Sequence, residues 1–102
     1  MMQFAVTAYD GADADALQRR IAAREAHLAL GDQMIAAGQL LFATALLNAE
    51  SQMCGSIMMV DFESRTALEE WLKIEPYVTG QVWQKIDVVP CKVGPRFVQK
   101  TP

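Results

Sequence analysis

The chain has 102 residues and a formal net charge of −3, with 52% hydrophobic residues. That length suits one domain with one core. The acidic balance argues against nucleic acid or an anionic membrane as partner, and no apolar run approaches the roughly 18 residues that a membrane-spanning helix needs.

In chain order, Gln3 to Tyr9 reads as a strand, with Phe4, Val6 and Ala8 on one face and Ala5, Thr7 and Tyr9 on the other. Asp10-Gly11 breaks it, and Asp13 is placed to cap the next helix. That helix spans about Ala14 to Ala37, with Gly38 as its stop. Leu40 to Leu47 is a second strand, apolar almost throughout, which predicts burial on both faces. Asn48 to Gln52 is a polar loop, short enough for a hairpin with a third strand, Cys54 to Phe62.

Ser64 caps a second helix whose packed side is Ala67, Leu68, Trp71 and Leu72. Glu75-Pro76 ends it, since a residue before proline resists the helical region. Tyr77 to Gln81 is a loop or a single turn, and Val82 to Val89 is a fourth strand that Pro90 ends. The prediction is one domain over residues 1–102, with its core at about 3–93 and a tail from 94.

The order βαββαβ gives an α+β, ferredoxin-like sandwich: a four-stranded antiparallel sheet with both helices on one face. Whichever strand residues face away from the helices include several large apolar side chains. A second copy packed sheet to sheet is the simplest cover, so a homodimer is expected.

One stretch of the long helix concentrates chemistry. Arg20, Arg24, His27 and Gly31 follow at spacings of four, three and four, which stack on one helical stripe. The stripe holds two cations, the single histidine, and a glycine that leaves space one turn on. Leu17, Ile21, Leu28 and Ile35 form a neighbouring apolar stripe, read as the packed face.

These residues resemble the YCII-related family, small proteins of the dimeric α+β barrel type. The resemblance rests first on Arg20-x3-Arg24-x2-His27-Leu28 with Gly38-x-Leu40-Leu41. It rests second on Phe62-x-Ser64-x6-Trp71-x3-Glu75-Pro76-Tyr77-Val78. It covers roughly Gln3 to Val93, and Asp10 also matches a common family aspartate. The chain departs from the family in two places. Glu75 replaces the usual aspartate before Pro-Tyr, and Gln81 stands where a glycine often does, with Gly80 one place early. The resemblance implies a histidine–carboxylate centre.

His27 is thus the candidate general base. A neutral imidazole can take a proton near pH 7, and a carboxylate would orient its other nitrogen. Asp10 and Glu75 are the candidate partners; Asp32, five residues on, points away. Arg20 and Arg24 either lie in solvent, paired to Glu25 or Asp13, or hold an anionic ligand group beside His27. Tyr77 could line the same site, although packing is its more ordinary role.

Cys54 and Cys91 match no metal spacing and read as free thiols in a reducing compartment. The start Met-Met-Gln-Phe lacks a charged leader, so a cytoplasmic location is expected. No metal and no other cofactor is expected. Two functions remain open. One is a cofactor-independent isomerase or lyase moving a proton on a small anionic metabolite; the other is a non-catalytic metabolite-binding or assembly protein.

Overall fold

Four strands and two main helices form the chain, and the computed structural model describes residues 1–98. The elements are β1 (Met2–Asp10), α1 (Ala16–Ala36), β2 (Leu40–Leu47), β3 (Met53–Phe62), α2 (Arg65–Ile74), α3 (Pro76–Thr79) and β4 (Trp83–Cys91). A 3-10 turn, Pro95–Phe97, follows. The last positions of the expected tail, 99–102, lie outside the described residues.

The strands form one sheet in the order β2-β3-β1-β4, every neighbour antiparallel. Each crossover carries the chain past one strand, which is the ferredoxin-like arrangement. Phe4, Val6 and Ala8 of β1 lie opposite Val60, Met58 and Ser56 of β3. This face packs on Met34 of α1, Leu68 and Trp71 of α2 and Tyr77 of α3, and forms the core.

The helix ends follow from local chemistry. Gly38 takes φ +76°, so the Gly38 N–H reaches the Ile35 carbonyl and the Gln39 N–H reaches that of Met34, closing α1. The Ser64 hydroxyl accepts from the Ala67 N–H at 3.1 Å and starts α2. Glu75 ends α2 and its side chain caps α3, where Pro76 occupies the first helical position.

Several sequence expectations change. Asp13 does not cap α1; its carboxylate takes both Nη atoms of Arg19, and α1 begins at Ala16. The stripe turned inward is Ala16, Arg20, His27, Gly31 and Met34, while Ile21, Leu28 and Ile35 lie about 100° round the helix and are exposed. Gly31 does not open a space, because Leu40 packs over it, 3.7 Å from where a Cβ would sit.

β2 is not buried on both faces. It is an edge strand, and Phe42 remains 56% exposed. Pro90 does not end β4, which continues to Cys91; the strand is at the sheet edge, where a missing N–H costs no ladder bond. Gln81, at the place of the family's glycine, adopts the left-handed φ of 57° that glycine would favour.

Candidate functional site

α1 sends Arg20 and His27 from its inner stripe towards the sheet, two turns apart. The α2–α3 junction brings Glu75 and Tyr77 up against them. His27 Nδ1 bonds Oε1 of Glu75, and the Tyr77 backbone N–H donates to the same oxygen at 3.1 Å. Glu75 is only 1% exposed, so its carboxylate depends on these partners. The Tyr77 ring stacks on the imidazole at 3.8 Å between centroids and 10° between planes, and Trp83 meets the imidazole edge-on at 6.0 Å. These contacts hold the histidine ring from one edge and one face.

Asp10, the other candidate partner, does not contact His27. It sits at the end of β1 and accepts both hydrogen bonds from Arg20 Nη1, at 3.0 and 3.1 Å. The side chains of Asp10 and Arg20 are each 3% exposed. Burial pushes the Asp10 carboxyl above its ordinary value, against the pull of the Arg20 hydrogen bonds and charge. Arg20 Nη2 donates to the Ser56 hydroxyl at 3.0 Å, and its guanidinium carbon lies 4.7 Å from the Tyr77 ring centroid. Arg20 is therefore committed to the protein, and Asp13 pairs with Arg19 rather than with it.

Arg24 is exposed and, among the described residues, has no carboxylate partner within 4.0 Å. A cavity of about 180 Å³ opens between α1 and strands β2 and β3, lined by Arg24, His27, Ser56, Met58 and Tyr77 among others. Nε2 of His27 has no hydrogen-bond partner among the described residues, and His27 lines this cavity. Burial also raises the Tyr77 hydroxyl above its usual value, so it stays a phenol at neutral pH. A larger hollow of about 570 Å³, between Met1, Met2 and the chain after β4, holds none of these residues.

Two residues of the site were not singled out from the sequence. Ser56 lies on the buried face of β3 among Met58, Val60 and Phe62; a hydroxyl alternating with core residues is itself a signal of a buried polar network. Simple alternation along Val82 to Val89 places Trp83 on the face of Lys85 and Asp87. The register of β4 shifts between Tyr9 and Asp10, with Tyr9 opposite Lys85 and Asp10 opposite Trp83, so one extra residue separates them. That bulge turns Trp83 inward, where its indole N–H donates to Ser56 at 3.3 Å.

Fold and site together define a small ferredoxin-like α+β protein with a histidine–carboxylate pair at the edge of a cavity. The chain belongs to the YCII-related domain family, whose match spans residues 2–92. It is 33% identical over 85 residues to the proteins called YciI in Escherichia coli and Shigella flexneri, covering 78% of this chain and 87% of theirs. An uncharacterized Haemophilus influenzae protein is 34% identical over 82 residues, covering 74% of this chain and 84% of that one.

Among solved structures, 5-chloro-2-hydroxyhydroquinone dehydrochlorinase from Burkholderia phenoliruptrix AC1100, in complex with 2,5-dihydroxybenzoquinone, matches with a TM-score of 0.80. Its identity is 23%, over 93% of this chain and 98% of that one. A dimeric ferredoxin-like protein of unknown function from Jannaschia sp. CCS1 matches with a TM-score of 0.54 and 16% identity, over 91% of this chain and all of that one. Both establish a shared fold.

Proposed function

We propose that this protein is a cofactor-independent enzyme in which His27 and Glu75 move a proton on a small anionic metabolite. The observation that carries the reading is the division of the imidazole. Nδ1 is held by the buried Glu75 carboxylate, and Nε2 is left free at the cavity. In that arrangement Nε2 takes a proton from the substrate, and Glu75 stabilises the imidazolium that forms. Returning the proton to another substrate atom completes an isomerisation. Releasing a leaving group as its bonding electrons depart completes an elimination. The dehydrochlorinase named for the Burkholderia neighbour performs an elimination by its name, which supports the class of reaction on this fold.

Arg24 supplies the free cation at the cavity; Arg20 also lines it, with its Nη atoms held by Asp10 and Ser56. The protein is further proposed to be a homodimer. Phe42, Tyr9 and Val89 are exposed on the sheet face away from the helices, and a second copy would cover them.

The test needs no named substrate. Small carboxylates and phenols that raise the melting temperature are incubated with the protein in D2O, and deuterium entry at their acidic C–H positions is followed by NMR. Exchange that requires the wild-type enzyme and vanishes in His27→Gln supports proton transfer. Binding without exchange would identify a metabolite-binding protein instead.

A further inference from the structure

We infer that Ser56 is a ligand-binding residue of this cavity, donating its hydroxyl hydrogen to a carbonyl or phenolate-type oxygen on a single-ring ligand. The inference rests on the small-molecule reading above and specifies what that site takes.

The Ser56 oxygen accepts from two directions, from Arg20 Nη2 at 3.0 Å and from the Trp83 indole N–H at 3.3 Å. A hydroxyl has two acceptor lone pairs and one hydrogen to give. Both acceptor positions are therefore spent, and only donation remains. Among the described residues no protein atom accepts from Ser56, although the residue is 4% exposed and lines the cavity with His27. A buried hydroxyl with an unspent hydrogen calls for an acceptor, and the cavity is where a ligand can supply it.

The two donors also set the strength of that hydrogen bond. Arg20 is charged, and accepting from a cation polarises the hydroxyl and makes its hydrogen a better donor. Asp10 balances the Arg20 charge, so the cluster offers a strong donor without a bare buried cation. Such a donor favours an oxygen that gains negative charge when a neighbouring proton is removed, as the oxygen of an enol or phenol does. Arg24 at the same cavity adds attraction for the anion.

Size narrows the class further. A cavity of about 180 Å³ admits one substituted six-membered ring and little more, well under the roughly 300–1,000 Å³ of pockets for larger ligands.

The test uses 4-nitrophenol, whose absorbance separates phenol from phenolate, with nitrobenzene as a ring of similar size that lacks the oxygen. Wild type should bind 4-nitrophenolate at least tenfold more tightly than nitrobenzene and shift the bound probe's ionisation to lower pH than in buffer. Ser56→Ala should weaken phenolate binding about tenfold, the loss expected for a hydrogen bond to a charged oxygen, and leave nitrobenzene affinity unchanged. Trp83→Phe keeps the hydroxyl but removes one of its two donors. It should weaken phenolate binding by a smaller factor, again without effect on nitrobenzene, and it serves where Ser56→Ala does not fold.

Phenolate affinity and ionisation unchanged in Ser56→Ala, or unchanged in Trp83→Phe where that variant stands in, would overturn the assignment of Ser56 while leaving the proton-transfer reading intact. No binding of either probe to wild type would overturn the Ser56 assignment. Deuterium exchange in the wild type, lost in His27→Gln, then decides separately whether the proton-transfer reading stands.

Discussion

The inner stripe of α1 carries two polar clusters, and they are built alike but finished differently. Arg20 meets Asp10 and His27 meets Glu75; in each, a helix cation or imidazole finds a carboxylate from another element. In the first cluster both side chains are sealed, and the Arg20 Nη atoms are spent on Asp10 and Ser56. In the second, the carboxylate is sealed but the His27 side chain keeps 13% of its surface and one free ring nitrogen. The first pair serves as scaffold, because both Nη atoms are taken and only the buried Nε of Arg20 is without a partner among the described residues. A pair with one unused nitrogen beside a cavity can exchange protons. The contrast lies in residue type and access: an imidazole with an unused nitrogen can titrate, and a sealed guanidinium stays charged.

The sharpest way to break the comparison is to remove the open nitrogen. His27→Gln keeps a donor for Glu75 but has no titrating base, so proton exchange on a bound ligand should fall by about 10²–10⁴-fold while the fold survives. Deuterium exchange by NMR, with thermal melting as control, checks this; exchange within a few-fold of wild type would remove His27 from the chemistry.

The sealed pair should respond in the opposite sense. Asp10→Ala leaves the Arg20 guanidinium buried without its counter-ion and should cost about 3–5 kcal/mol of stability in urea denaturation. A cost under about 1 kcal/mol would show that water or another group reaches Arg20. The pH dependence sharpens the point. The Asp10 value is raised by burial, so the native state holds that proton more readily than the unfolded chain. Its contribution to stability is therefore greatest below the ordinary aspartate value and falls as pH rises through the raised one. Asp10→Asn should erase that step from the profile.

A smaller effect is expected on the opposite face of the sheet, which neither cluster touches. Met59 lies on that face beside Phe42 and Ala5. Met59→Lys should weaken self-association by about 2–4 kcal/mol, read by sedimentation, through an unpaired charge at the proposed contact. Dimers as tight as wild type would place the contact elsewhere.

The smallest effect belongs to Asp13. Its pairing with Arg19 pulls its carboxyl down to about 2. A lowered value means stability that is present above the ordinary 3.8 and lost as pH falls from there towards about 2. The pair is at the surface, so Asp13→Asn should flatten only the acid end of a pH–melting profile. A change at neutral pH as large as that of Asp10→Ala would mean that surface pairing matters as much as the sealed pair.

The sequence by itself determined the order of elements, because alternation, helical spacing and caps act over a few residues. Gly38, Ser64 and Pro76 mark their boundaries by local chemistry, and the structure keeps them. The stripe of Arg20, Arg24 and His27 was also legible, since a helix converts spacing into a face. What the spacing could not tell was which flank of α1 turns inward. The apolar set Ile21, Leu28 and Ile35 reads as the packed side but lies exposed, because the Arg20–His27 stripe finds Asp10, Ser56 and Glu75 waiting across the core.

Only the tertiary structure chose between Asp10 and Glu75. Asp10 closes β1 and Glu75 sits at the α2–α3 junction, and partner choice depends on where those two ends lie in space. Only the sheet order made β2 and β4 edges, which leaves an apolar strand uncovered and lets Pro90 sit within a strand. The bulge that turns Trp83 inward likewise belongs to strand pairing rather than to alternation. Spacing along the chain governs faces; pairing between distant segments governs which of those faces meet.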